Sequence, residues 1–216
     1  KFGSAVAWSP DGKKIAIGPE SVWSGDTIVK IWAIPEYLAT KPKNPLNKGL
    51  VAYYPFNGNA TDESGTGNDG EVKGATLTID RHGKKDSAYQ FDGKDDYIDL
   101  ENSILSNERS SYTISTWVQA SAKPDGQVNL IQDRYGSSCG YKYSLTLVNG
   151  GGGGLSANWG IYNRAAGNMQ LPSKTRELAV NQWIHLTCSY DLQKGLMILY
   201  IDGKKESEKE NKSVWN

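Results

Sequence analysis

Short strand-like runs, each closed by a turn, recur along most of this chain, and no stretch shows an apolar repeat of 3.6 residues. Tyr112–Ala120 is the clearest run. Ile114, Thr116 and Val118 alternate there with Thr113, Ser115 and Trp117, the period-two signature of a strand with one face toward a core. Val128–Gln132, Lys142–Val148, Leu155–Tyr162, Gln182–Tyr190 and Leu196–Ile201 read as strands too. The last runs into Asp202–Gly203, a strong hairpin-turn pair. Upstream, Leu50–Phe56 is apolar and aromatic, and Ser87–Phe91 and Tyr97–Leu100 flank the turn cluster 92–96. Such spacing and turn chemistry exclude a helical bundle. The expectation is an all-β protein, a two-sheet antiparallel jelly-roll sandwich.

Residues 4–32 give three more short strands, Ser4–Trp8, Lys13–Ile17 and Thr27–Trp32, with a turn at Pro10–Gly12 between the first two. Ala5–Ala16 and Val29–Trp32 resemble a WD40 repeat, although the closing dipeptide is Trp32–Ala33 where that repeat has Trp-Asp. The resemblance implies a single WD40-like propeller blade over residues 1–34. One blade cannot bury both faces, so further blades are expected ahead of Lys1. Residues 35–48 carry Pro35, Pro42 and Pro45 and read as a semi-stiff linker, leaving 49–216 for the sandwich.

Charge narrows the partners. The 24 basic residues balance 24 acidic ones and are scattered, so neither nucleic acid nor an anionic membrane is favoured. No apolar run approaches the roughly 20 residues of a membrane span, so no insertion is expected. Cys139 and Cys188 could form one bridge or remain as two buried thiols. Catalysis finds little footing. His82 sits in the charged loop 80–85, and His185, beside Trp183 in a strand, is expected to be a buried, hydrogen-bonded histidine. No Ser-His-Asp set can be assembled, and strand interiors are almost free of Glu, so the chain is expected to be non-catalytic.

Two loops carry oxygen ligands. Asp62 and Asn68, in the Gly-rich loop 59–68, are candidate ligands for calcium, which takes six to eight hard oxygens; the competing reading is that they cap turns. Asp95 and Asp96 form a second acidic pair, in which adjacent carboxylates repel unless a cation or donors intervene; a solvated turn is the alternative. A ligand rim is expected from Tyr135, Tyr141, Trp159, Tyr162 and Arg164, since aromatic faces stack on sugars and Arg binds carboxylates or hydroxyls. Trp159 and Tyr162 could instead fill the core. Trp8, Trp32, Trp117 and Trp183 are read as packing residues, and Gly150–Gly154 as a flexible hairpin connection. Asn59–Thr61 and Asn211–Ser213 fit the glycosylation sequon.

Gly49–Phe56, Asp62–Gly70, Phe91–Ile98, Tyr112–Val118, Gln182–His185, Tyr190–Asp191 and Leu199–Gly203 together resemble the laminin-G-like, concanavalin A-like domains of bacterial surface and secreted proteins. The resemblance implies a concanavalin A-like jelly roll, a structural calcium for which Asp62 and Asn68 stand at the matching positions, and an extracellular or cell-surface setting. It implies a recognition or adhesion module for a glycan or protein surface. The family's closing Gly-x-Ile-Asp-Asp motif is absent, so the sandwich is expected to lack its C-terminal strands and to expose an edge open to strand addition or self-assembly. A building block of a filament or multidomain assembly, and an accessory domain of an enzyme encoded beyond this chain, are the alternative roles.

Overall fold

The computed structural model describes residues 5–8, 14–18, 30–33, 48–100, 104, 110–134, 141–150, 154–163, 167–174 and 178–210. The chain divides into two compact units, Lys1–Tyr53 and Tyr54–Asn216. In the first, β1 (Ala5–Trp8), β2 (Lys14–Gly18) and β3 (Lys30–Ala33) form an antiparallel sheet in chain order. A propeller blade has four strands. Among the described residues this unit has three, in a meander, and a propeller blade is not shown.

The apolar run 50–56 is not a strand. Pro55 lacks a ladder donor and Phe56 takes a left-handed backbone (φ 55°), so pairing cannot continue through them. Instead Phe56 meets the Tyr89 ring edge-on at 5.1 Å. Downstream come two short antiparallel pairs. β4 (Glu71–Lys73) pairs with β7 (Tyr97–Asp99), and β5 (Thr76–Thr78) pairs with β6 (Ala88–Gln90).

Two four-stranded antiparallel sheets follow, and they make the body of the second unit. The front sheet has the order β15-β14-β13-β8, from β8 (Tyr112–Gln119), β13 (Trp183–Asp191), β14 (Leu196–Ile201) and β15 (Lys204–Glu210). The back sheet has the order β12-β11-β10-β9, from β9 (Gln127–Arg134), β10 (Tyr141–Asn149), β11 (Leu155–Asn163) and β12 (Gly167–Pro172). The chain starts β8 in the front sheet, builds the back sheet as a meander, then returns so that β13 pairs with β8. The glycine run 150–154 joins β10 to β11, with the Gly150 N–H donating to the Gly154 carbonyl at 3.0 Å.

Alternation fills the space between the sheets. Ile184, Leu186, Cys188 and Tyr190 of β13 and Met197, Leu199 and Ile201 of β14 meet Leu145, Leu147, Leu155, Ala157, Trp159, Ile161, Met169 and Leu171 of the back sheet. Burying each large side chain contributes about 1.5–3 kcal/mol. Cys188 is a free thiol within this core, and burial pushes its pKa up to about 12; Cys139 lies outside the described residues. The strand β15 has an almost wholly charged sequence, yet Ser207 is buried and donates to the Pro172 carbonyl at 3.0 Å. Lys209 Nζ donates to the Gln170 carbonyl at 3.4 Å, so two bonds tie the edge of the front sheet to the edge of the back sheet.

Candidate functional site

The outward face of the front sheet is set by the residues that alternate with the core. On β8 these are Thr113, Ser115, Trp117 and Gln119, and on β13 they are Trp183, His185, Thr187 and Ser189. Trp117 stands directly opposite His185, and Ser115 opposite Thr187. The Trp117 and His185 rings stack at 4.8 Å with 18° between their planes. Ser115 Oγ lies 2.7 Å from His185 Nε2 and 3.3 Å from Thr187 Oγ1. Trp117 remains 42% exposed. Asp202 fixes the next turn, its Oδ1 accepting the His185 N–H at 2.9 Å while its own N–H donates to the His185 carbonyl at 2.9 Å.

Arg81 reaches this face from the turn between β5 and β6, its Cζ 4.6 Å from the Trp117 ring centroid. A guanidinium over an exposed indole is worth about 0.5–1 kcal/mol. The turn is held by Asp80, whose Oδ1 accepts the N–H groups of His82 and Lys84, each at 2.8 Å. Those backbone donors, that of Lys84 foremost, hold the Asp80 carboxyl below its ordinary value. Among the described residues Arg81 makes no ion pair. The sequence reading of Trp117 as mere packing is therefore corrected, because the residue stands on the outward face and is 42% exposed. His185 is hydrogen-bonded as expected but only half buried. The signal for both was the alternation itself, which set Trp117 beside Ser115 and opposite Ile114 and Val118.

A second feature is the turn between β6 and β7. The carboxylate oxygens of Asp92, Asp95 and Asp96 lie within 4.8 Å of one another. Asp96 Oδ2 accepts the Asp92 N–H, and Asp92 Oδ1 accepts the Lys94 N–H, both at 2.8 Å. Backbone donors, that of Lys94 first, hold the Asp92 carboxyl low. Gly74, left-handed at φ +80°, lets Asp96 approach so closely that a Cβ at Gly74 would overlap Asp96 Oδ1. Three hard carboxylates at this separation could hold a metal. The sequence had pointed to Asp95 and Asp96; Asp92 joins them through a turn whose ends the expected strands had already fixed.

A family model described as the concanavalin A-like lectin/glucanases superfamily, of laminin-G type, matches residues 92–216. The chain belongs to the concanavalin A-like lectin/glucanase superfamily. No curated protein matches it. The match begins at the acidic turn and takes in both sheets of this concanavalin A-like domain.

The other expected site residues are placed differently. Asp62, 7% exposed, uses its carboxylate as a hydrogen-bond hub. Oδ1 accepts from Ser64 N, and Oδ2 accepts from Ser64 Oγ, Thr66 Oγ1 and Asn68 N, at 2.8–3.0 Å. Asn68 is thus brought to Asp62, and its carbonyl accepts the Tyr54 hydroxyl at 2.5 Å. Burial, then the charges of Asp62 and Asp69, push that hydroxyl up to about 12. Of the expected rim, only Trp159 has a side chain among the described residues. Trp159, with no exposure, sits in the core 6.0 Å from Tyr112, so it is a packing residue; a fully buried ring cannot meet a ligand. Tyr135 and Arg164 lie outside the described residues, as do the side chains of Tyr141 and Tyr162.

Proposed function

We propose that this concanavalin A-like domain is a non-catalytic recognition module that binds a glycan through the outward face of its front sheet, with calcium held at the 92–96 turn. The observation that carries the reading is Trp117, half exposed in a row of hydroxyls from Ser115 and Thr187. Sugar C–H groups can pack against the exposed edge of the indole between Arg81 and His185, and the hydroxyls offer both donors and acceptors. A cell-surface or extracellular setting suits this role. Calcium at Asp92, Asp95 and Asp96 would offset their mutual repulsion and stiffen the turn where the family match begins.

The back sheet carries a layer of polar side chains. The face turned away from the core carries Ser144, Thr146, Ser156, Asn158 and Gln170, and Ser144, Thr146 and Ser156 are themselves buried. Thr146 Oγ1 donates to the Asn158 carbonyl at 3.4 Å, Asn158 Nδ2 donates to Gln170, and Ser156 meets Ser173 at 3.0 Å. Glycoside cleavage uses two carboxyl groups facing the scissile bond; these five side chains are hydroxyls and amides. A glycan array probed with the full chain and with Trp117→Ala, with and without a chelator, tests the reading. The wild type is expected to bind, the variant to lose binding, and the chelator to weaken it. Absence of binding to every glycan in both conditions would refute it.

A second reading, assembly by strand addition, draws on the sheet edges. Among the described residues β8 and β9 have a neighbour on one side only, and Val128 on β9 is 42% exposed. Mass measurement in solution separates the two, since a monodisperse monomer contradicts assembly through these edges.

A further inference from the structure

We infer that the outward face of the front sheet is selective for acidic saccharides, with the Arg81 guanidinium as the fork that receives their carboxylate or sulfate groups. The inference rests on the glycan-recognition reading and adds the ligand's charge class. Arg81 lies over the Trp117 ring at 4.6 Å, and Trp117 is itself stacked on His185 at 4.8 Å. Stacking keeps a planar guanidinium flat and leaves its N–H donors, which lie in the same plane, pointing outward. A carboxylate or sulfate accepts two of them side by side.

The usual intramolecular competitor is engaged elsewhere. Asp80, the adjacent carboxylate, directs its Oδ1 to the amides of His82 and Lys84, and it makes no ion pair with Arg81 although it feels the Arg81 charge. Arg81 has no ion pair among the described residues. A structural guanidinium on a protein surface is normally paired or solvated at random. This one lies over a ring, beside a row formed by His185, Ser115 and Thr187. The same turn adds Lys84 and Lys85, both exposed, so that residues 80–86 carry three cations against Asp80 and Asp86, a local excess of one positive charge. Lys84 is held by Asn57 Oδ1 at 2.6 Å, a neutral partner that leaves its charge uncompensated. A neutral sugar would use the indole edge and the hydroxyls but would leave the Arg81 fork unmatched. An acidic one uses all three.

Calorimetric titration of the full chain with polygalacturonate, dextran sulfate and neutral dextran tests the inference, using wild type, Arg81→Gln, Arg81→Lys and Trp117→Ala. Thermal melts accompany each variant to confirm folding. The wild type is expected to bind an acidic polymer in preference to dextran, with affinity falling as salt is added. Polygalacturonate and dextran sulfate distinguish a carboxylate from a sulfate ligand. Arg81→Gln is expected to weaken acidic binding by about 10- to 100-fold, the worth of a hydrogen bond to a charged group, with Arg81→Lys in between. Equal affinity for acidic and neutral polymers, or acidic binding unchanged in a folded Arg81→Gln chain, overturns this inference and leaves glycan recognition standing. No binding to any of the three polymers by a chain that also binds nothing on a glycan array overturns both.

Discussion

At the scale of single residues, the most constrained position is Gly74. Its φ of +80° is one that a side chain tolerates poorly, and the Asp96 carboxylate fills the space a Cβ would take. Gly74→Ala is expected to lower stability by about 1–3 kcal/mol, measurable as a shifted urea midpoint, and to displace Asp96 from the acidic turn. Gly83→Ala provides the control. It shares the positive φ but meets open space, so only the backbone cost of about 1 kcal/mol remains. Cys188 makes the opposite case, a reactive group silenced by packing. With its pKa raised to about 12 by burial, the thiol stays protonated at pH 8. Mass-mapped alkylation should leave Cys188 unmodified in the folded chain and label it once urea unfolds the protein. Rapid labelling of the native protein would show that the core is not as closed as described.

At the scale of elements, alternation decided what could be read from sequence. The strands β8 and β13 were legible because Ile114, Val118, Ile184, Leu186 and Cys188 take every second place. The strand β15 was not. Of its residues Lys204–Glu210, only Ser207 is buried, and a serine among charges gives no period-two signal. Its place comes from pairing with β14 and from the Ser207 bond to β12, both tertiary effects. The run Leu50–Phe56 failed for the converse reason, since apolar composition cannot overcome Pro55 and the left-handed Phe56. The acidic turn was half legible, because Asp95 and Asp96 are neighbours in sequence whereas Asp92 joins them only when the turn closes. The exposure of Trp117 was obscured by a habit of composition, in which a tryptophan on a strand is assumed to pack inward. The energetic asymmetry of β14 and β15 can be measured. Leu199→Ala is expected to cost about 2–5 kcal/mol as a core truncation, and Glu208→Ala on the exposed face under about 0.5 kcal/mol.

At the scale of the whole molecule, acid should weaken the fold. Asp80, Asp92 and Asp191 each have carboxyl pKa values lowered by backbone N–H donors. A folded-state pKa below the unfolded value of about 3.9 stabilises the native state above that pH, and this contribution is lost as pH falls through the lowered folded values. Urea midpoints should therefore hold steady from pH 7 to about 5 and decline below about 4. A midpoint unchanged down to pH 2 would mean that these turns do not contribute to stability. The same architecture separates two tasks. The core between the sheets supplies rigidity, while the front sheet presents Trp117, His185, Ser115 and Thr187 outward with Arg81 laid across them.

The measurement closest to this account is a nitrogen-15 NMR titration of the full chain with oligogalacturonates, following the Trp117 indole N–H. The account predicts saturable shifts at that indole and at the amides of Ser115, His185 and Thr187, saturating only at about 10- to 100-fold higher ligand in Arg81→Gln. Shifts confined to the 59–68 loop, with the Trp117 signal unmoved, would contradict it.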